Sequence, residues 1–151
     1  MKKGILTLAI AIVLFSGVAR SQEKDFGLGI ILGEPTGISA KKWLDDKAAI
    51  DAAVAWSFVT PSSFHFHADY LYHDFNLLNA KKGKLPLYFG IGFRIRIRSG
   101  DNRLGIRAPV GICYIFDQSP LDIFVELGPI LDLTPETRFR LTSSVGIRYF
   151  F

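Results

Sequence analysis

The feature that most constrains the fold is a strict two-residue alternation of side-chain character. Over residues 87–98, Leu, Phe and Ile fill the odd positions, while Tyr, Gly and Arg fill the even ones. A period of two is that of a β-strand, whose successive side chains point to opposite faces. The segment therefore predicts a strand with one bulky apolar face and one face of glycine and arginine.

The same alternation recurs along the chain between segments rich in turn residues. Pro86, Pro109 and Pro129 fall inside predicted strands and remove backbone donors, so we expect bulges or strand ends there. Beyond residue 21, no segment has helical periodicity or an apolar run of helix-spanning length. We predict eight antiparallel strands, at 25–33, 37–44, 48–58, 63–73, 85–98, 103–116, 121–133 and 138–151.

The amino-terminal segment has the pattern of an export signal. Two lysines precede a charge-free apolar run over residues 4–18, and Ala-Arg-Ser at 19–21 offers small residues at the spacing of a cleavage site. This pattern is typical of a secretory signal peptide, cleaved after Ala19 or Ser21. No cysteine follows the run, which argues against a lipid-anchored protein. The predicted domains are a signal peptide, 1–21, and one β-domain, 22–151.

The chain is nearly neutral once the predicted signal is set aside. The chain has 18 basic and 14 acidic residues, and three of the basic ones lie within the predicted signal, which leaves 15 against 14. We therefore expect no nucleic-acid partner. A single cysteine, Cys113, excludes an intramolecular disulfide.

The composition of the second face decides which side of the sheet meets solvent. A water-exposed face would be rich in Lys, Glu, Thr and Gln, whereas this one is largely Gly, Ala and Ser interleaved with Arg, Asp and His. Small residues and paired charges suit the narrow lumen of an eight-stranded barrel. We predict an all-β fold, an eight-stranded antiparallel up-and-down transmembrane β-barrel with its apolar face toward lipid. The alternative is a soluble lipocalin-like ligand-binding barrel with the apolar face inside.

Two stretches carry a resemblance to known proteins. Residues 143–151 alternate and finish on Tyr149-Phe150-Phe151. With the signal and the eight strands, the chain resembles small eight-stranded outer-membrane β-barrels of the OmpA/OmpX type. Its carboxy-terminal pattern is similar to the signal read by the bacterial barrel-assembly machinery. The glycine-rich stretch 27–37, followed by Lys-Lys-Trp at 41–43, also resembles a recurrent opening of uncharacterised outer-membrane barrel proteins.

The resemblance implies a monomer in the bacterial outer membrane, without cofactor or enzymatic activity. It implies contact with outer-membrane lipids and lipopolysaccharide, and delivery by the assembly machinery through the strand that ends at Phe151. The predicted external loops are short, which weakens an adhesion or receptor role. Those loops are 34–36, 59–62, 99–102 and 134–136.

Inward-facing charges form the strongest candidate site. If both termini face the periplasm, strand five rises and strand six descends, so five arginines crowd the outer half of the lumen, with Arg140 as a further candidate. One interpretation is an ion-paired plug with a structural role. The other is an anion site, either a narrow anion-preferring pore or a site for lipopolysaccharide phosphates. The five are Arg94, Arg96, Arg98, Arg103 and Arg107, with Asp132 expected at their level, Glu126 and Asp69 near the middle, and Asp51 and Asp122 lower.

Metal and lipid chemistry are weaker alternatives. His65, His67 and His73 share one face with Asp69. A Zn²⁺ site requires three or four ligands, however, and the single cysteine lies on another strand. We therefore predict lumenal hydrogen bonding and no metal. A lipid hydrolase needs a Ser–His pair open to lipid, whereas the outward-facing Ser143 has no outward-facing histidine. We predict no enzyme.

Overall fold

The structure is a computed structural model that describes residues 24–33, 36–57 and 62–151. The predicted signal peptide lies outside the described residues, as do parts of the predicted loops at 34–36 and 59–62. No helix among the described residues is long and apolar enough to cross a bilayer. The strands are β1 (Phe26–Gly33), β2 (Gly37–Trp43), β3 (Ala48–Ser57), β4 (Ser63–Asp74), β5 (Leu87–Arg98), β6 (Arg103–Arg107), β7 (Val110–Ile115), β8 (Leu121–Thr134) and β9 (Arg138–Phe150).

The strands close into a ring with eight positions. Neighbouring strands of the ring pair antiparallel, and β9 returns to pair with β1, where Leu28 lies opposite Tyr149. Strands β6 and β7 share one position, because both pair with β5 on one side and β8 on the other. The predicted eight-stranded up-and-down barrel is therefore confirmed.

The predicted sixth strand is interrupted at Pro109, and Pro129 lies beside the break on the neighbouring β8. Gly90 N–H donates to the Pro109 carbonyl and Ala108 N–H donates to the Pro129 carbonyl, each at 3.0 Å. Neither proline can return a bond, because it has no N–H. The register on β5 is the same on both sides of the break, with Arg107 opposite Gly92 in β6 and Val110 opposite Phe89 in β7. Pro109 therefore lies at a strand end, one of the two positions expected for it, and no bulge occurs there. Pro129 lies inside β8 opposite Leu141 in an unbroken register, so the expectation of a bulge or a strand end is wrong for this proline.

Irregularities elsewhere in the sheet are small. A register shift occurs between Leu104 and Gly105, where β6 meets β8. Pro86 lies just before β5 begins, and its carbonyl accepts a hydrogen bond of 3.0 Å from Cys113 N–H. The prediction that Pro86 occupies a strand end is confirmed.

The two faces of the sheet differ in polarity, with the apolar face outside and the polar face inside. On β5, the outward-facing Ile91 keeps 62% of its surface exposed, while the inward-facing Arg94 keeps 6%. Large apolar side chains point outward on every strand, and most arginines of the strands point into the lumen. The lipocalin-like alternative is wrong, since it needs the apolar side chains inside. Lys42 is an exception on the outward face near the end of β2, where its long stem can reach a polar interface.

The closing seam requires glycine. A Cβ on Gly29 would lie 1.8 Å from the carbonyl oxygen of Ile147 and 2.7 Å from the Cα of Arg148. Both atoms belong to the backbone of β9, which the ladder holds in place. Only a residue without a side chain fits this close approach.

The barrel has a terminal end, where β1 begins and β9 ends, and a loop end opposite it. At the terminal end, Asp45 Oδ1 accepts hydrogen bonds from the backbone N–H groups of Lys47 (2.8 Å) and Ala48 (2.7 Å). These bonds lower the pKa of Asp45. The connection over residues 75–86 folds back on β7, where Lys84 and Ile115 exchange two backbone hydrogen bonds of 3.0 and 2.8 Å.

Candidate functional site

The middle of the lumen is crossed by a group that we call the central cluster, made of Arg107, Glu126, Asp69, His67 and Tyr88. The Arg107 guanidinium hydrogen-bonds Glu126, its Nε lies 3.0 Å from Asp69 Oδ2, and its Nη1 lies 3.1 Å from His67 Nδ1. Tyr88 hydroxyl donates to the second Glu126 oxygen at 2.8 Å. Every member is buried. These contacts link four strands and offset the cost of burying the charges.

A second layer lies nearer the terminal end. Arg148 Nε donates to Asp122 Oδ1 at 2.9 Å, and Arg148 Nη1 lies 3.8 Å from Asp51 Oδ2. Lys41 Nζ lies 3.9 Å from the other Asp122 oxygen, to which the Cys113 thiol donates at 3.5 Å. Asp122 therefore contacts groups from three strands and accepts hydrogen bonds from two of them.

Aromatic rings cover the lumen below this layer, and we call Trp43, His73 and Phe75 the aromatic floor. The His73 ring lies 4.4 Å from that of Trp43, and Phe75 lies 6.4 Å from each. His73 Nδ1 is 2.9 Å from the Lys47 carbonyl oxygen, so it carries the proton and donates. His73 Nε2 is then free to accept from Lys41 Nζ at 2.8 Å.

At the loop end, four arginines meet two aspartates in what we call the arginine mouth. Asp132 contacts three guanidinium groups: Arg94 Nη2 at 2.6 Å, Arg140 Nε at 3.4 Å and Arg103 Nη1 at 3.6 Å. The members of the mouth are Arg94, Arg96, Arg103, Arg140, Asp101 and Asp132.

Asp101 supplies the second carboxylate from the turn between β5 and β6. Its oxygens lie 2.6 Å from Arg96 Nη2 and 3.1 Å from Arg103 Nε. The hydrogen bond from Arg103, assisted by the charges of Arg103 and Arg96, lowers the pKa of Asp101. Asp101 therefore stays ionised at neutral pH.

The structure brings together most, not all, of the predicted arginines. Arg94, Arg96 and Arg103 meet at the loop end, and Arg140 joins them as expected. The prediction for Arg107 is wrong, because its partner across β5 is Gly92 at mid-strand and it belongs to the central cluster.

Arg98 lies apart from the ion pairs of the mouth. It ends β5 with a half-buried side chain, and its backbone N–H donates to Asn102 Oδ1 at 3.3 Å. Arg98 therefore lies at the loop end, as predicted, but is not a member of the arginine mouth.

Three charged residues of the lumen are not among the predicted site residues. Asp101 falls in the predicted loop at 99–102, yet it is the counter-ion of two arginines. Lys41 and Arg148 lie on the inward register of their strands, and both are 1% exposed. That register was the signal that could have identified them.

The histidines do not meet at one point. Asp51, His67 and Asp69 could each offer one ligand atom, and these atoms lie within 4.8 Å of one another. Arg107 already contacts His67 and Asp69, and its fixed positive charge opposes a cation there. The arrangement fits an ion-paired cluster better than a metal site.

Cys113 provides a direct test of the closed interior. It is fully buried, so we expect a maleimide to leave it unlabelled in the folded barrel and to label it completely after unfolding in urea. A protein carrying Cys113→Ala and Ser119→Cys should label when folded, because Ser119 lies in an exposed turn. Labelling of folded Cys113 at the unfolded rate would contradict the closed interior.

The fold and the lumen together define the class, a small β-barrel with an apolar outer surface and an ion-paired interior. Among solved structures, the chain is similar to the crystal structure of the N-terminal β-barrel domain of Pseudomonas aeruginosa OprF, with a TM-score of 0.62 and 12% sequence identity. The match covers 87% of this chain and 100% of that one. No protein-family model and no curated protein matches the chain. The predicted resemblance to OmpA-type barrels is confirmed for the fold.

Proposed function

We propose that the protein is an integral outer-membrane barrel with a structural role in the envelope and a lumen closed to solutes. The observation that carries this proposal is the stack of side-chain layers that crosses the lumen. From the loop end, these are the arginine mouth, the central cluster with Arg107 held by Glu126 and Asp69, the pair of Arg148 and Asp122, and the aromatic floor. Side chains fill the interior of an eight-stranded barrel, which leaves no continuous aqueous path.

The outer surface supports the membrane location. Bulky apolar side chains cover mid-strand positions, and aromatic residues such as Tyr72, Phe89 and Tyr149 face outward toward the terminal end. This distribution is typical of a lipid-facing belt with an interfacial girdle. We propose export by the amino-terminal signal and assembly through β9, whose pairing with β1 closes the ring.

The described connections at the loop end fit a structural role better than a receptor role. They span only residues 99–102 and 135–137, between β5 and β6 and between β8 and β9. Such turns offer little surface for recognising a protein partner.

The narrow anion-preferring pore is the competing function, and conductance separates the two. We expect the purified protein to give no steady current in a planar bilayer, because an ion would have to displace Arg107 from two buried carboxylates. The variant Arg96→Ala should be equally silent, since it widens the mouth without opening the central cluster. A steady anion-selective current in the unmodified protein that falls in this variant would establish the pore instead.

Location is tested separately from conduction. We expect the protein in the outer-membrane fraction as a compact species that migrates differently before and after boiling. Recovery from the soluble fraction would contradict the proposal whatever the bilayer recordings show.

A further inference from the structure

We propose that the arginine mouth binds a phosphate-type oxyanion from the loop side of the barrel. This inference goes beyond the structural role and stands on different contacts. The first observation is a charge imbalance, since four guanidinium groups share the two carboxylates of Asp101 and Asp132. An anion that enters the mouth brings the missing negative charge into a partly desolvated setting, where it interacts strongly with the arginines.

The second observation is that buried donors in the mouth lack acceptors. The side chains of Arg94 and Arg96 are 7% and 10% exposed, and each gives one Nη2 hydrogen bond, to Asp132 and Asp101. Within the described chain, Nε of Arg94 and Nε of Arg96 have no hydrogen-bond partner. An unmade hydrogen bond on a buried charged group is costly, so an added acceptor gains more here than on the surface.

The spacing of these two arginines suits one tetrahedral anion. They are two residues apart on the inner face of β5, which places their Cα atoms roughly 7 Å apart. Long side chains can converge from that separation on one anion with several oxygens. The planar guanidinium fork donates two parallel hydrogen bonds to phosphate-like oxygens, a geometry that chloride cannot match.

The mouth is open on one side and closed on the other. The Arg140 side chain is 34% exposed and that of Asp101 is 28% exposed, so solvent reaches the rim of the mouth from the loop end. The central cluster closes the lumen beneath it. An anion would therefore enter from the loop end and bind without passing through the barrel.

Titration of inorganic phosphate against the folded protein in detergent, at constant ionic strength in a chloride background, tests the site. We expect saturable binding by calorimetry. The affinity should fall at least about tenfold in Arg94→Gln/Arg96→Gln, which corresponds to about 1.4 kcal/mol. The matched control is Arg138→Gln, an exposed arginine that pairs with Glu136 outside the mouth, and its affinity should match that of the unmodified protein. Equal binding by the double variant would overturn the proposal.

A second variant distinguishes loss of the anion site from misfolding of the barrel. Asp101→Asn removes one counter-charge and leaves the Arg96 guanidinium without its carboxylate. We expect tighter phosphate binding, a gain that loss of structure cannot produce. Unchanged or weaker binding by this variant, when its boiling-dependent gel shift is normal, would count against the proposal.

The source of the phosphate is settled by a parallel titration. Phosphate groups reach this side of an outer membrane either in free solutes or on lipopolysaccharide. Arginine-dependent binding of inorganic phosphate assigns the site to a soluble ligand. Arginine-dependent binding of phosphorylated but not dephosphorylated lipopolysaccharide, without inorganic phosphate binding, assigns it to the lipid. Binding of neither would overturn the proposal.

Discussion

Replacing Gly29 with alanine is expected to prevent closure of the barrel. The new Cβ would lie 1.8 Å from the Ile147 carbonyl oxygen, and backbone atoms of β9 cannot move aside without breaking the ladder that closes the ring. We expect a loss of at least about 3 kcal/mol in the free energy of unfolding, at or above the upper part of the range for overpacking. Urea titration in detergent, followed by the boiling-dependent gel shift, measures the folded fraction.

Gly100→Ala is the matched control for this substitution. A Cβ at Gly100 meets nothing within 4 Å, although its φ of +77° disfavours a side chain. That backbone strain costs about 1–2 kcal/mol, without a steric clash in the sheet. If Gly29→Ala were as stable as Gly100→Ala, the seam between β1 and β9 would be looser than described.

Most of the fold could be predicted because the two faces of each strand make opposite demands. Lipid requires bulk outside, and a narrow lumen requires small or paired polar residues inside, so the alternation survives along whole strands. The eighth predicted strand therefore falls within one residue of β9 at its carboxyl end. The choice between a bulge and a strand end at Pro109 could not be predicted, since the effect of a proline depends on whether its missing N–H faces a partner. At Pro109 it faces the carbonyl of Gly90, and that pairing is a property of the closed sheet.

The site could be predicted only in part, because depth in the lumen depends on the stagger between strands. Inward direction follows from sequence parity, which correctly placed Arg94 and Arg103. Arg107 lies on the same face as Arg103 but four residues deeper along β6, where it contacts Glu126 of the neighbouring β8. Tilt and stagger set which charges face each other, and no single strand contains that information.

Replacing Arg107 with methionine is expected to destabilise the barrel strongly. Methionine keeps much of the side-chain volume but leaves Glu126 and Asp69 buried without their counter-charge. Removing one partner of a buried ion pair typically costs about 3–5 kcal/mol. Urea unfolding in detergent and in lipid vesicles measures the loss. Arg138→Met removes an arginine from an exposed pair and should leave stability unchanged.

The double variant Arg107→Met/Glu126→Gln separates lost attraction from stranded charge. If burial of unpaired carboxylate is the main cost, removing the Glu126 charge should recover part of the stability lost by Arg107→Met, although Tyr88 still needs its acceptor.

The size of the stability loss in Arg107→Met alone also tests whether the lumen is closed to water. A water-filled lumen would solvate Glu126 and Asp69, so a loss below about 1 kcal/mol, the scale of solvent-exposed pairs, would mean that the interior is wet. In that case the proposal of a closed lumen, and of the structural role that depends on it, would be wrong, and the anion-preferring pore would be favoured.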